Sequence, residues 1–172
     1  MNFPQDGNEA AKVRSALSSV KQRIAQAAVD FGRAVDGIEL VAVSKTFPAD
    51  IVRHALAAGQ RVFGENRVQE AHAKWPALKN EFSGVELHLV GPLQSNKCRE
   101  AMALFDVIET VDRLKIAEEI AKEHSRTGRC PKLYIEINTG LEPQKAGVIP
   151  SDADAFIKEC RERLSLPIEG LM

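Results

Sequence analysis

Segments typical of strands alternate with segments typical of helices along most of the chain, which leaves few folds open to it. The strand-like apolar runs begin near Ile38, Arg61, Val85, Asp106, Lys132 and Pro167. A segment with helical periodicity separates each run from the next. Parallel strands need long connections, and helices are the usual ones, so the alternation predicts an α/β fold with a parallel sheet and right-handed crossovers.

An additional helix is predicted over residues 8–33, before the first strand. Its apolar residues recur at alternating steps of four and three, at Val13, Leu17, Val20, Ile24, Ala27 and Phe31. This spacing places them in one stripe on a long amphipathic helix.

Two architectures are compatible with six strand units. One is a complete open sheet of six strands, and the other is a β/α barrel in which about six of eight units are present. A β/α barrel is typically about 250 residues long, and this chain has 172. Length alone therefore favours the open sheet.

The composition is that of an ordinary globular protein with one domain, which we place at residues 1–172. Hydrophobic residues make up 44% of the chain and charged residues 27%. No apolar run approaches the roughly 18 residues of a membrane span, and the start "MNFPQDGNEA" lacks the pattern of a secretory signal. We therefore expect a cytoplasmic protein.

Charge and cysteine content narrow the candidate partners. With 23 basic and 24 acidic residues the net charge is −1, which offers no field to attract nucleic acid or a membrane surface. The cysteines, Cys98, Cys130 and Cys160, are far apart and outside any CxxC pattern, so we predict reduced thiols and no metal site. A small molecule is the expected partner.

Polar residues interrupt several of the strand-like runs, where their desolvation requires a partner or a function. In "LYIEIN" (residues 133–138), strand alternation puts the apolar residues on one face and Tyr134, Glu136 and Asn138 on the other. In the first strand the same alternation puts Val41, Val43 and Lys45 on one face, with Lys45 at the carboxyl end. Ligands of parallel α/β folds bind at the carboxyl ends of the strands, so we expect a site there.

Lys45 supports two interpretations. A lysine at a strand end often extends to water. An amine in a partly desolvated pocket instead loses its proton more easily and can attack a carbonyl to form a Schiff base. The other polar residues also have structural explanations: His88 as a hydrogen-bonded core histidine, Glu109, Glu136 and Asn138 as a polar network, and Asn66 as a helix cap. The sequence lacks GxGxxG, P-loop, GxSxG and HExxH motifs.

Four segments, taken together, resemble one family. "LVAVSKT", "FGENRVQE", "HLVGPLQSNK" and "IEINTGLEPQKAG" occur here in the order and spacing of the pyridoxal phosphate homeostasis proteins, also called proline synthetase co-transcribed homologues. The resemblance extends from the N-terminal helix to "IEGLM". It implies the TIM-barrel fold of the alanine racemase N-terminal domain, with an extra N-terminal helix.

The resemblance also implies a cofactor and its site. Family members hold pyridoxal 5′-phosphate (PLP) as an aldimine on a lysine at the end of the first strand, which is Lys45 by motif. Asn66 is expected near the cofactor ring, and His88, Gln94 and Asn96 are expected to line the same opening. Members are regarded as carriers or regulators of PLP in vitamin B6 and amino-acid homeostasis, without an established catalytic activity. PLP-accepting enzymes are then candidate partners.

Family members continue past "IEGLM" through two more strand units that bind the cofactor phosphate. We therefore expect a chain truncated after the sixth strand that binds PLP weakly or only as a non-selective aldimine. Two alternatives stay open. One is a PLP-dependent racemase. Racemases of this fold take a second acid/base group, a tyrosine, from a separate domain, whereas the single tyrosine of this sequence, Tyr134, lies within the fifth strand. The other is a domain without cofactor, either structural or a Schiff-base aldolase.

Overall fold

Six strands alternate with helices after one long N-terminal helix. The structure, a computed structural model, describes residues 4–172, with side chains from residue 7 onward, so the first residues of the predicted domain lie outside the described part. The helices are α1 (Pro4–Asp30), α2 (Ala49–Ala57), α3 (Val68–Glu81), α4 (Cys98–Leu104), α5 (Leu114–Thr127) and α6 (Pro150–Lys158). The strands are β1 (Ala42–Val43), β2 (Val62–Glu65), β3 (Glu86–Leu89), β4 (Val107–Val111), β5 (Lys132–Ile135) and β6 (Ile168–Leu171). The predicted alternation is confirmed.

The first strand is shorter than the sequence suggests and begins at residue 42, not near Ile38. Only Ala42 and Val43 pair with β2. Just before them, the buried side chain of Gln60 donates hydrogen bonds from Nε2 to the carbonyl oxygens of Leu40, at 2.6 Å, and Val62, at 2.8 Å. The side chain of Gln60 thus bonds the carbonyl oxygen of Leu40, which in a longer strand would accept a hydrogen bond within the sheet.

The strand order supports the barrel over the open sheet that length favoured. All neighbouring strands are parallel, and the order is β1-β2-β3-β4-β5-β6 without a reversal. Crossovers between parallel strands are right-handed as a rule, so an unreversed order puts the connecting helices on the same face of the sheet. Doubly wound open sheets instead reverse their strand order at a switch point. The fold is therefore of the α/β TIM-barrel type.

The hydrophobic core lies between the sheet and this single layer of helices. Leu133 and Ile135 of β5 are fully buried in it, while Tyr134 and Glu136 are half-buried on the opposite face, as the alternation predicts. The largest fully buried side chains come from both layers: Trp75, Phe63, Phe105, Leu56, Leu78, Leu87, Leu89, Leu93, Ile108, Ile116, Ile120 and Leu133. The opposite face, which is the barrel interior, carries polar residues of the strands such as His88 and also a group of valines around Gly64.

The N-terminal helix buries less of its apolar stripe than expected. It contacts α2, and Ala28 is almost fully buried. The helix ends at Asp30, earlier than residue 33, so Phe31 leaves the stripe and is 88% exposed. None of the helices in the described range is long and apolar enough to cross a membrane.

Candidate functional site

Lys45 lies in a turn immediately after β1, at the carboxyl end of the sheet. Its side chain is exposed, and within residues 4–172 no hydrogen bond or ion pair engages its ammonium group. The methyl groups of Val41 and Val43 lie on the side of β1 that faces Gly64, so close that a methyl group on Gly64 would meet them at 3.2 and 3.3 Å. Two aliphatic side chains therefore lie together just before the turn that carries Lys45.

The turn that carries Lys45 is held by specific bonds. Phe47 donates its backbone N–H to the Ser44 carbonyl at 3.2 Å. Thr46 adopts a φ of 66°, a left-handed conformation that costs a β-branched residue about 1–3 kcal/mol unless its surroundings fix it. Its backbone N–H donates to Glu70 Oε1 of α3 at 2.5 Å. This contact supplies part of the required support.

A buried ion pair lies beneath the turn. Glu65, at the end of β2, is fully buried, and its Oε1 accepts hydrogen bonds from Ser44 Oγ, at 2.5 Å, and Trp75 Nε1, at 3.0 Å. Lys74 of α3 is only 8% exposed and brings its Nζ to 2.8 Å from the same oxygen. A buried carboxylate and a buried ammonium each need the other, because either one alone would carry its full desolvation cost.

The next two strand ends approach so closely that only glycine fits between them. A methyl group on Gly91, just after β3, would lie 2.3 Å from the carbonyl oxygen of Asn66, just after β2. Thr110 Oγ1 of β4 donates to the Gly91 carbonyl at 2.9 Å. These contacts fix the carboxyl ends of β2, β3 and β4 relative to one another.

A cleft of about 530 Å³ opens beside this junction. Asn66 and Gln94, both predicted from the sequence, line it together. The remaining lining residues are Arg67, Val68, Gln69, Pro92 and Lys97. Amide and cationic groups thus converge where the ends of β2 and β3 meet.

The structure places the other two predicted residues elsewhere. Asn96 lines a separate groove of about 160 Å³, which it shares with Glu119 and Arg126 of α5. His88 lies within β3, where Nδ1 is 2.5 Å from Glu109 Oε1 and Nε2 is 2.9 Å from Glu86 Oε1. Neither residue is among the described residues that line the cleft.

The surroundings of His88 form an ionic cluster on the barrel interior. Burial lowers the pKa of His88, but the hydrogen bonds and charges of Glu109 and Glu86 outweigh it, so the net pKa lies above the ordinary value. Lys132 of β5 reaches Glu86 Oε2 at 3.2 Å. This cluster accounts for the buried histidine through structural contacts across three strands.

The end of β5 presents two polar side chains in different settings. Burial raises the pKa of Glu136, and the nearby charge of Asp112 adds to the effect. Its Oε2 is buried, and no other described residue donates a hydrogen bond to it. Asn138 instead folds back on its own loop, since Nδ2 donates to the Glu142 carbonyl at 2.9 Å and Oδ1 accepts the Glu142 N–H.

The sequence reasoning missed Glu70 and Lys74, which hold the Lys45 turn. One signal was present: the two residues are four apart on a helix that starts directly after "GEN", a spacing that allows an ion pair. Nothing local to that helix indicated that Lys74 would be buried against strand ends 30 residues earlier.

Chemically, the site offers a primary amine that no other described residue bonds, an aliphatic wall and a nearby cleft with amide donors. An amine in this setting can form a covalent bond with a small aldehyde. Among the described residues no three His, Cys, Asp or Glu side chains are grouped to hold a metal ion.

The chain is similar in sequence to one family model and to several known proteins. The family model described as alanine racemase, N-terminal domain, matches residues 16–172. A pyridoxal phosphate homeostasis protein of Escherichia coli K12 is 40% identical over 159 residues, which cover 91% of this chain and 67% of that protein. One from Pseudomonas aeruginosa is 39% identical over 158 residues, with the same two shares.

Solved structures give the same picture. PipY of Synechococcus elongatus PCC7942, with PLP bound, superimposes with a TM-score of 0.76 at 38% identity, over 93% of this chain and 69% of that one. An alanine racemase of Clostridium difficile has a TM-score of 0.62 at 14% identity, over 78% of this chain and 35% of the racemase. At that identity, the second similarity indicates a shared fold and nothing more.

Proposed function

The chain belongs to the pyridoxal phosphate homeostasis protein family, and from this premise we propose that it binds PLP covalently through Lys45 and serves PLP homeostasis. The observation that carries the proposal is the exposed ammonium group of Lys45, which no other described residue engages, at the carboxyl end of β1. Support comes from the related PipY structure, which was solved with PLP bound.

The residues around Lys45 fit this cofactor. When bound, PLP supplies two groups: an aldehyde, which condenses with an amine, and an aromatic ring, which withdraws electrons. Lys45 Nζ would provide the amine, because the neighbouring lysine on α3, Lys74, is already occupied with Glu65 and two carbonyl groups. Val43 would shield one side of the linkage from water.

Four further residues complete the proposed site. Asn66 and Gln94 have the stronger support, since they line one cleft at the ends of β2 and β3 and offer amide groups that can donate and accept hydrogen bonds. His88 and Asn96 are proposed on the family resemblance alone, because their described contacts lie on the barrel interior and in a separate groove.

We extend the proposal to the cellular setting of the protein. A single PLP-binding domain is supported by the continuous six-stranded sheet. The proposed role is cytoplasmic and involves PLP-accepting enzymes, as the family resemblance implies. The near-zero net charge supports a role that involves neither nucleic acid nor a membrane surface.

Covalent trapping tests the proposal directly. The purified chain is incubated with PLP, reduced with borohydride and digested, and the labelled peptide is identified by mass spectrometry. We expect the label on Lys45, and we expect Lys45→Ala to lose it. Lys115→Ala, a change at another exposed lysine, serves as the matched control and should keep the label.

Equal labelling of several lysines in the parent, or full labelling of Lys45→Ala, would contradict the proposal. An assay for alanine racemisation separates a homeostasis protein from an enzyme. We expect no racemisation above the level given by free PLP.

A further inference from the structure

Two residues of α3 form hydrogen bonds with the backbone around Lys45. Lys74 Nζ donates to the carbonyl oxygen of Ser44 at 2.8 Å and to that of Phe47 at 2.9 Å. Between these two carbonyl groups lie only Lys45 and Thr46. One ammonium group therefore joins the two ends of the turn that carries the proposed PLP-binding amine.

Glu70 holds the middle of the same turn. Its Oε1 accepts the Thr46 N–H at 2.5 Å and lies 3.4 Å from Lys74 Nζ. Thr46 has a φ of 66°, which a β-branched residue rarely adopts unless contacts impose it. The hydrogen bond that the Thr46 N–H donates to Glu70 is one such contact, and it acts at the strained residue itself.

The charges indicate that Glu70 has a different role from Glu65. Glu65 is fully buried and already compensates Lys74 at 2.8 Å. The side chain of Glu70 is 30% exposed, so the buried ion pair does not depend on it for neutralisation. What Glu70 alone contributes, among the contacts described for this turn, is the bond to the Thr46 N–H.

We propose that Glu70 and Lys74 are positioning residues that fix the turn so that Lys45 projects its amine toward the mouth of the barrel. The inference rests on the proposed function of Lys45. A fixed turn limits the positions open to the amine before an aldehyde arrives, so less conformational freedom is lost when the covalent bond forms. A loosened turn should leave the amine present but slower to capture PLP.

Glu70 is the residue to vary, because its partial exposure lets the chain fold without it. Glu70→Ala removes both the acceptor and the charge, whereas Glu70→Gln keeps an oxygen that can accept the Thr46 N–H. Glu81→Ala is the matched control, since it removes an exposed ion pair, with Arg53, at the other end of α3.

Two measurements are made on each variant. Amide hydrogen exchange at Thr46, recorded without PLP, reports the order of the turn. The rate at which Lys45 acquires a borohydride-stable PLP label reports its capture of the cofactor. For Glu70→Ala we expect exchange faster and labelling slower by about fivefold or more, as the loss of a hydrogen bond to a charged group implies. Glu70→Gln should lie closer to the parent, and Glu81→Ala should match it.

The two proposals fail in different ways. Labelling of Lys45 in the parent together with unchanged exchange and labelling in Glu70→Ala would overturn the positioning role alone. Faster exchange at Thr46 without slower labelling would also overturn it, since the bond would then be merely structural. Absence of label on Lys45 in the parent would overturn the proposed function and the positioning role with it.

Discussion

The contact between Gly91 and Asn66 gives a sharp test of how the site is assembled. A methyl group added at Gly91 would lie 2.3 Å from the Asn66 carbonyl oxygen, 2.6 Å from its Cα and 2.9 Å from its carbonyl carbon. All three are backbone atoms, so no side-chain rotation can relieve the overlap. The φ of Gly91 is not in the left-handed region, so the effect of Gly91→Ala comes from space and not from backbone strain.

The expected size follows from the overlap. The two strand ends must separate by about 1 Å to restore ordinary contact, and such overpacking typically costs about 1–3 kcal/mol. The hydrogen bond from Thr110 to the Gly91 carbonyl is disturbed as well, which adds about 1 kcal/mol. A total of about 2–4 kcal/mol corresponds, for a chain of this size, to a fall in Tm of about 4–16 °C.

Urea unfolding measures this cost with an intrinsic probe. Trp75 is the single tryptophan of the sequence, is fully buried, and lies with its ring centroid 5.0 Å from that of Phe63. Its fluorescence should change when the core opens. Gly37→Ala is the matched control, because Gly37 has a φ outside the left-handed region and open space around it. We expect the free energy of unfolding of Gly37→Ala to stay within about 0.5 kcal/mol of that of the parent, or to be slightly higher.

An unfolding midpoint for Gly91→Ala equal to that of the parent would refute the packing argument. It would mean that the ends of β2 and β3 can separate freely. The cleft that Asn66 and Gln94 share would then not be a fixed feature of the fold.

Two further predictions concern titratable groups. Burial lowers the pKa of His88, but Glu109 and Glu86 raise it above the ordinary 6.5, so protonated His88 stabilises the fold. This contribution is complete below the unfolded-state pKa and is lost as pH rises through the folded-state pKa. Urea unfolding should show a fall in stability above pH 6.5 that His88→Asn lacks, and identical pH profiles would contradict this. Burial also raises the pKa of the cysteine thiols, to about 12 for Cys98 and about 11 for Cys130 and Cys160. A thiol–disulfide reagent at neutral pH should therefore modify the folded chain far more slowly than the urea-unfolded chain, and equal rates would contradict this.

The sequence predicted the elements of the fold well. The strand starts near residues 61, 85, 106, 132 and 167 agree with the structure to within one residue. The first strand was placed too early because the apolar run from Ile38 is paired only from Ala42 onward. Just before this start, the carbonyl oxygen of Leu40 is bonded by the side chain of Gln60, which lies 20 residues further along the chain.

The structure brings some of the predicted site residues together and separates others. Alternation correctly put Val41 and Val43 on one face, with Lys45 following at the strand end. Gln94 and Asn96 were expected to share one opening, but the short helical turn between them directs them into different clefts. Residues two apart share a face only in a strand, and residues 95–97 form a 3₁₀ turn.

The chain's own pattern of apolar and polar residues determined the class of fold, the order of its elements and the lysine at the first strand end. These features depend on the periodicity of residues within one element. That periodicity is a local property, so it can be recognised in the sequence. Only the tertiary structure decided that Lys74 lies buried between Glu65 and the Lys45 turn, and that Gly91 leaves no space beside Asn66. Those contacts join residues 9 to 30 positions apart, and their desolvation and distance depend on how strands and helices pack against one another.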